Sequence, residues 1–241
     1  MSTAADVEVH PDEPALAAAI AGRLIRSLAQ AQAARGTASV VLTGGGIGTA
    51  ALAALATAPE LDSVDWQRVD FWWGDERFLP AGDPERNETG ARSALLDKLR
   101  LDPARVHPMP ASDGQDGADV AAAAQRYAAV LRTGFDVVLL GIGPEGHVAS
   151  LFPGMPALHE DRPVVAVLDS PKPPPTRITL TFGPIRSARE VWILASGEAK
   201  AEAVARALSG ADPDDVPAAG AHGTERTLFL LDMKAAAGLP G

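Results

Sequence analysis

Two hydrophobic patterns alternate along this chain and predict its helices and strands. In residues 16–28 and 120–131, apolar side chains recur every three or four positions, as on one face of a helix. The first helix is expected to begin near Pro14, a residue suited to a first turn, and the second to stop at Gly134. Shorter helices are predicted over Ala50–Ala58, Asn87–Leu99 with Asn87 as its cap, and Ser196–Leu208.

Short runs of consecutive apolar residues predict the strands. They lie over Ser39–Thr43, Arg68–Trp73, Asp136–Leu140, Val164–Leu168, Arg177–Phe182, Val191–Ala195 and Thr227–Leu231. The run after Asp136 is apolar throughout, which is typical of a central parallel strand covered on both faces. Because strands and helices alternate, we predict an α/β fold with a mainly parallel sheet.

The length of the chain fits one domain over residues 1–241. Such a chain can form one sizeable hydrophobic core, and no internal repeat divides it. The stretches 111–117 and 210–223 are rich in Gly, Asp, Ala and Pro, and we interpret both as surface loops. They are not domain linkers, because too little chain follows the second stretch to form another domain.

Composition narrows the classes of partner. The chain is 46% hydrophobic and 22% charged, which is ordinary for a globular protein, and its formal net charge is -10. Nucleic-acid binding needs clustered Lys and Arg, so we expect no such partner, although a few local cations can still bind a small phosphorylated molecule. No run approaches the ~18 apolar residues of a membrane span, and the N-terminal stretch is acidic, so we expect a cytoplasmic protein with no membrane partner.

Three kinds of reactive site are excluded by what the sequence lacks. It has no cysteine, which removes disulfides, thiol nucleophiles and thiolate metal sites. The five histidines show no paired ligand spacing, so no metal is predicted. No G-x-S-x-G motif surrounds Ser150 or Ser196, which argues against a covalent serine route.

Three predicted strands end in glycine-rich or charged loops, at the edge where open α/β sheets bind ligands. These loops are Thr43–Gly48, Trp73–Arg77 and Gly141–His147. In the first loop, the backbone N–H groups of Gly44, Gly45 and Gly46 can point at an anion, helped by the dipole of the following helix. A tight strand-to-helix turn explains the same three glycines equally well.

The third loop matches the dinucleotide fingerprint G-x-G-x-x-G at Gly141, Gly143 and Gly146. A dinucleotide site needs a full helix after its third glycine, and Pro153 and Gly154 interrupt any helix here. We therefore predict no organic cofactor from this motif.

His147 is the candidate acid–base residue, because an imidazole with a pKa near ~6.5 exchanges protons near neutrality. It is the only histidine in a glycine-rich strand-end loop, and Glu145 is close enough in sequence to orient or tune the ring. A buried structural histidine is the alternative interpretation.

Arg77, Arg177 and Lys200 are candidate ligands of an anionic substrate, and Asp75 is a further candidate contact. Lys200 stands in the first turns of the last predicted helix, where an anion would interact with both the lysine and the helix dipole. Each cation has a structural alternative. For Arg77 it is an ion pair with Asp75 or Glu76, and for the other two it is a solvated strand edge or a tolerated surface position.

At these loops the sequence resembles the 6-phosphogluconolactonase family. The matching segments, in family order, are Phe71–Arg77, Asn87 with the helix after it, Asp136–Gly154, Pro173–Thr181 and Ser196–Lys200. They span nearly the whole chain, and the long segment that contains His147 is the most specific.

The resemblance implies a Rossmann-like domain with helices on both faces of the sheet, related to glucosamine-6-phosphate deaminases and ribose-5-phosphate isomerases. It implies hydrolysis of 6-phosphogluconolactone to 6-phosphogluconate in the oxidative pentose phosphate pathway, without metal or cofactor. His147 would be the acid–base residue, and residues 44–46, Arg77, Arg177 and Lys200 would bind the phosphorylated sugar lactone. The oligomeric state stays open, with a monomer as the working expectation.

In the mechanism we expect, His147 removes a proton from the water that attacks the lactone carbonyl and later protonates the departing ring oxygen. Backbone N–H groups of Gly141–Gly146 would stabilise the oxyanion. Two positions depart from the family pattern: Gly46-Ile47-Gly48 replaces a usual Ser-Thr-Pro, and Glu145 replaces a common Asp.

Two other functions fit parts of the sequence. An aldose–ketose isomerase or an amino-sugar-phosphate deaminase needs a carboxylate that moves a carbon-bound proton, and Asp75 is the candidate for that role. A sugar-phosphate sensor binds without turnover, but such regulators usually carry a DNA-binding module, for which we find no segment.

Overall fold

The strands of the protein form two sheets. A computed structural model describes residues 5–239, and its strands are β1 (Asp6–His10), β2 (Ala38–Leu42), β3 (Val69–Trp73), β4 (Asp75–Arg77), β5 (Val137–Gly141), β6 (Val164–Val167), β7 (Arg177–Leu180), β8 (Glu190–Ala195) and β9 (Arg226–Asp232). Six of them form one parallel sheet in the order β1-β9-β8-β5-β2-β3. The other three form a small antiparallel sheet in the order β4-β7-β6.

Helices connect the parallel strands. They are α1 (Glu13–Arg35), α2 (Gly45–Leu55), α3 (Asn87–Ala94), α4 (Val120–Val130), α5 (Phe182–Arg186), α6 (Ala201–Leu208) and α7 (Pro217–Gly220). Short 3₁₀ turns occupy Leu61–Ser63, Trp66–Arg68, Leu96–Lys98, Pro103–Arg105, Pro156–His159 and Glu198–Lys200. The predicted α/β class with a mainly parallel sheet is confirmed.

The core forms where the apolar patterns of strands and helices meet. The stripe of α1, predicted from its spacing, is buried along its length at Leu16, Ile20, Leu24 and Leu28. Asp12 caps this helix through the backbone N–H of Ala15, and Gly36 ends it in the left-handed conformation that favours glycine.

The strand order places a crevice at the carboxyl end of β2. From β2 the chain runs outward to β3 and then returns to β5, on the other side of β2. The connections that leave β2 and β5 therefore diverge, and a crevice opens between them, as at the switch point of other open α/β sheets.

Several helix boundaries differ from the predictions. Helix α2 begins at Gly45 instead of Ala50, so the glycine triplet is the first turn of a helix and not a loop before one. Arg86, not Asn87, is the N-cap residue of α3, which ends at Ala94. Helix α4 ends at Val130, well before Gly134.

The last predicted helix begins later than expected. Ser196 does not open it: its hydroxyl lies 2.8 Å from a carboxylate oxygen of both Asp232 and Glu13, and α6 starts at Ala201. The stretch 210–223 is wrong as a pure surface loop, since it contains α7 and buries Val216 and Ala218.

Two strand assignments also needed correction. Strand β1 was missed; it pairs only with β9 at the sheet edge and leaves Val7 and Val9 exposed. The strands predicted near 164–168 and 177–182 exist, but they are antiparallel neighbours in the small sheet. There they place β4 beside the crevice.

Candidate active site

The carboxyl edge of the parallel sheet encloses a polar cavity of about 240 Å³. This volume lies below the ~300–1,000 Å³ of drug-sized pockets, so it suits a small metabolite. Seven of the nine residues predicted for the site line it: Gly44, Gly45, Asp75, Arg77, His147, Arg177 and Lys200. Gly46 and Glu145 do not line the cavity.

His147 is held by the backbone of its own loop. The Gly143 N–H donates to the His147 carbonyl at 2.9 Å, and the Gly146 N–H donates to the Gly143 carbonyl at 2.9 Å. The ring packs against Phe152, with 4.5 Å between centroids. A Cβ at position 143 would lie 1.9 Å from His147 Nδ1, so the ring occupies space that only glycine leaves open.

The His147 imidazole is neutral near pH 7. Burial and, to a smaller extent, the charge of Lys172 lower its pKa to about 4, against the opposing charges of Glu145 and Asp75. Nδ1 is buried and lies 3.1 Å from Glu145 Oε1, without the alignment of a hydrogen bond. The side chain is 15% exposed, which leaves Nε2 as the nitrogen that can meet a substrate.

Asp75 is a buried carboxylate whose two oxygens are engaged. Oδ2 accepts from the Ser150 hydroxyl at 2.7 Å, and Oδ1 accepts from Asn87 Nδ2 at 3.1 Å. The guanidinium of Arg177 lies 3.7 Å from Oδ2. These contacts fix the carboxylate at the floor of the site.

Arg177 is not a solvated edge residue, because it is only 4% exposed. Its guanidinium donates to the carbonyls of Lys172, Pro173 and Pro174 at 3.0, 3.1 and 3.1 Å. These bonds bind the loop before β7 to the cavity wall, while the same side chain lines the cavity.

Arg77 makes no ion pair with an acid in the described part of the chain, contrary to its structural alternative. Its guanidinium donates to the Glu85 carbonyl, and its Nε is buried without a partner. Arg77 is the register partner of Arg177 across the β4–β7 ladder, so two like charges share one face of the small sheet.

The neighbouring acid, Glu76, points away from Arg77's guanidinium and holds α3 instead. Its carboxylate accepts from the backbone N–H groups of Arg77, Asn87 and Glu88 at 2.8, 2.7 and 2.8 Å. Burial raises its pKa to about 7, although Arg86 and these N–H groups oppose the rise.

Two positive features of the cavity lack a compensating acid. Helix α2 begins at the cavity with Gly44 as its N-cap and has no side-chain cap, so its first N–H groups are available to an anion. Lys200, just before α6, makes no ion pair within residues 5–239. Burial and the charge of Lys172 both lower the pKa of Lys200.

The loop proposed for the oxyanion offers few donors. The Gly141 N–H donates to the Thr43 hydroxyl at 3.2 Å, and the Ile142 N–H donates to the Leu194 carbonyl at 3.4 Å. The N–H groups of Gly143 and Gly146 close the loop itself. Four of the predicted oxyanion donors, the N–H groups of Gly141, Ile142, Gly143 and Gly146, are therefore already engaged.

The sequence prediction did not include Lys172 and gave Asn87 a different role. Lys172 lines the cavity, and its Nζ lies 3.0 Å from Glu145 Oε2. Asn87 lines the cavity and contacts Asp75, and a Cβ on Gly44 would lie 1.9 Å from its Oδ1. The available signal for Lys172 was its position directly before the proline run of the family motif.

Residues 5–239 also bear on metal and membrane binding. No group of three or more His, Asp or Glu side chains there could hold a metal ion. Within the same residues, no helix combines the length and the apolar character needed to cross a membrane.

Comparison with known proteins gives a consistent result. A family model described as glucosamine-6-phosphate isomerases/6-phosphogluconolactonase matches residues 11–230. The 6-phosphogluconolactonase of Streptomyces coelicolor is 58% identical over 100% of this chain and 97% of its own length. That of Mycobacterium tuberculosis is 52% identical over 97% of this chain and 98% of its own.

Solved structures extend the similarity to the fold. The 6-phosphogluconolactonase of Trypanosoma brucei matches with a TM-score of 0.84 and 28% identity, over 100% of both chains. A monomeric glucosamine-6-phosphate deaminase matches with a TM-score of 0.81 over 97% of this chain and 99% of its own. At 22% identity, that second match shows a shared fold alone.

Proposed function

The chain belongs to the family of glucosamine-6-phosphate isomerases and 6-phosphogluconolactonases, and on that premise we propose that it hydrolyses 6-phospho-D-glucono-1,5-lactone to 6-phospho-D-gluconate. The observation that carries the proposal is that His147 lines the same cavity as Arg77, Arg177 and Lys200. A proton-transfer group and a set of cations therefore meet where a phosphorylated lactone would fit. We place the reaction in the oxidative pentose phosphate pathway.

The phosphate is the part of this substrate that the protein can bind most strongly. Arg77 and Lys200 are the cavity cations without an acid partner in the described residues, and the open end of α2 adds backbone donors. Charge-assisted hydrogen bonds to a phosphate are about twice as strong as neutral ones. These groups fix the position of the lactone ring relative to His147.

His147 then acts as a general base. Because burial keeps its imidazole neutral, Nε2 can take a proton from a water molecule as that water attacks the lactone carbonyl carbon. A carbon–oxygen bond forms to the water oxygen, and the carbonyl becomes an oxyanion.

The second proton transfer completes the reaction. As the bond from the carbonyl carbon to the ring oxygen breaks, the imidazolium returns its proton to that oxygen, which becomes the C5 hydroxyl of the product. Glu145 stabilises the transient imidazolium from the Nδ1 side. No metal or organic cofactor takes part in this proposal.

The proposal is tested by a coupled assay. Freshly prepared 6-phosphogluconolactone is mixed with the protein, and 6-phosphogluconate dehydrogenase with NADP⁺ reports the product after subtraction of spontaneous hydrolysis. We expect saturable acceleration. Ammonia release from glucosamine 6-phosphate would instead assign the deaminase reaction, and saturable lactone binding without turnover would assign a sensor.

We further propose a single-domain, cytoplasmic monomer that binds no nucleic acid. The net charge of -10 supports the last point, because a polyanion would be repelled at most of the surface. Sedimentation equilibrium of the purified chain, with and without a DNA duplex, tests both the oligomeric state and the absence of a nucleic-acid partner.

A further inference from the structure

We infer that Lys172 is a positioning residue for His147 and acts through the carboxylate of Glu145. The inference rests on the proposed function, in which His147 is the general base. The contacts form a continuous line: Lys172 Nζ lies 3.0 Å from Glu145 Oε2, and Glu145 Oε1 lies 3.1 Å from His147 Nδ1. One carboxylate thus joins the ammonium group to the imidazole.

Glu145 needs a second contact to face the ring. Its side chain is 34% exposed, and its approach to Nδ1 lacks the alignment of a hydrogen bond. A half-exposed carboxylate on a flexible chain would otherwise turn toward water, since ordering it opposes side-chain entropy. Lys172 binds the oxygen that does not face the ring and so limits that rotation.

The backbone of Lys172 is itself held in place. Its carbonyl accepts from the Arg177 guanidinium at 3.0 Å and from the Ser170 hydroxyl at 3.1 Å. Arg177 in turn lies 3.7 Å from Asp75. The lysine side chain therefore starts from a fixed point on the cavity wall, which favours a positioning role.

The charges around His147 predict opposite shifts of its pKa when Lys172 or Glu145 is neutralised. Glu145 and Asp75 favour the protonated ring, whereas Lys172 and burial oppose it, and burial is the largest influence on its pKa. Removing the positive charge of Lys172 should therefore raise the pKa of His147. Removing the negative charge of Glu145 should lower it.

These opposite pKa shifts can be measured from kcat/KM, because its pH dependence gives the pKa values of the essential groups in the unliganded enzyme. The base must be neutral, so activity is lost as pH falls through the pKa of His147, near 4 in the wild type. In Lys172→Met this acidic limb should move to higher pH, and in Glu145→Gln it should move to lower pH.

The test compares the wild type with Lys172→Met, Lys172→Arg and Glu145→Gln in lactone hydrolysis from about pH 3 to pH 8, with the product measured after each sample is returned to the pH of the coupled assay. We expect Lys172→Met to lower kcat about tenfold, with KM changed less than about twofold, because a misplaced base affects the reaction step. Lys172→Arg should restore most of kcat, since it keeps both charge and reach. Circular dichroism and thermal melting confirm that each variant is folded.

A double variant separates action through Glu145 from independent action. If Lys172 positions the base through Glu145, then adding Lys172→Met to Glu145→Gln should lower kcat no further. A full additional loss in the double variant would overturn the inference. So would a large rise in KM at constant kcat in Lys172→Met, which would make Lys172 a substrate ligand.

Failure of the inference and failure of the proposed function look different. If the wild type does not hydrolyse the lactone, the proposed function is wrong, and the inference is overturned with it. If the wild type is active but Lys172→Met leaves kcat and the acidic limb unchanged, only the positioning role is wrong.

Discussion

The two ends of the six-stranded sheet use charged residues in opposite ways. At the amino end, Asp136 contacts both Arg35 and Arg189, and Arg189 also pairs with Glu225 at 2.8 Å. At the carboxyl end, Lys200 lines a cavity and makes no ion pair within residues 5–239. Charge density alone therefore does not mark the functional end of the sheet.

Two histidines show the same contrast. His107, near the amino end, stacks on Trp72 with 3.8 Å between ring centroids, and its Nε2 lies 2.9 Å from Asp70 Oδ1. The ring face and the Nε2 atom of His107 are thus both engaged in contacts within the fold. His147 lines the cavity, and its Nδ1 lies 3.1 Å from Glu145 Oε1 without a hydrogen bond to it.

The largest expected effect is that of exchanging one histidine or the other. His147→Ala should lower kcat by about 10²–10⁴-fold, because the proton shuttle is lost, while binding of 6-phosphogluconate is largely kept. The measurements are the coupled lactone assay and product titration by calorimetry.

His107→Ala is the matched control for that variant. It should leave kcat within about twofold and lower the free energy of unfolding by about 1–3 kcal/mol, since a stacked ring and a hydrogen bond are lost. Near wild-type turnover in His147→Ala would contradict the proposed role of that residue.

A smaller loss is expected when the ring is displaced but kept. In Gly143→Ala the new Cβ would lie 1.9 Å from His147 Nδ1, so the imidazole must move, and kcat should fall about 10–100-fold. Gly90→Ala, in α3, is the control, because its Cβ would meet only Thr49 Oγ1 at 3.9 Å. Equal activity of the two variants would show that the ring position is not critical.

Removing the uncompensated cation should act mainly on binding. Lys200→Met should raise KM by about tenfold or more, because a charge-assisted contact to phosphate contributes about 1.5–3 kcal/mol. Arg189→Met removes a cation at the other end of the sheet and should leave KM unchanged. A similar KM for both variants would contradict the contrast between the two ends.

The smallest effect concerns stability. Arg189→Met should lower the free energy of unfolding by at most about 1 kcal/mol, since Arg189 and Glu225 are 37% and 55% exposed and exposed ion pairs contribute little. Urea denaturation at low and high salt provides the measurement. A loss that persists undiminished at high salt would argue against a screened surface pair.

The central strands were predictable from the sequence because burial on both faces leaves a continuous apolar run. Strands β5 and β8 show this pattern along nearly their whole length. Strand β1 escaped prediction because it is short and alternates polar with partly exposed apolar residues. The three-residue strand β4 has no pattern of its own and is defined only by its pairing with β7.

The start of α2 shows a different limit of sequence reasoning. Glycine is a poor helix former, so the Gly44–Gly48 segment predicts a loop, yet the helix begins at Gly45. Close packing explains the difference, because Gly44 and Gly48 approach Asn87 and the Thr43 backbone too closely for any side chain. The helix propensity of a short segment does not reveal such contacts with residues distant in the chain.

For the candidate site, His147 and the three cations were recognisable because each stands in a segment that matches the family pattern. Lys172 was missed, since its place before the proline run does not reveal its contact with Glu145, which only the fold brings about. The same holds for Ser150, whose hydroxyl meets Asp75 from 75 positions away in the chain.

Arg77 and Arg177 are opposed across the small sheet, so the stability of that sheet should depend on whether an anion is bound beside them. Like charges at opposed positions of a ladder repel, and burial together with the charge of Arg77 lowers the pKa of Arg177, so a phosphoryl group bound beside both would offset that repulsion. Ligand and antiparallel sheet should therefore stabilise each other. Selection for heat resistance without ligand would therefore favour the loss of Arg77 and, with it, of a proposed phosphate ligand.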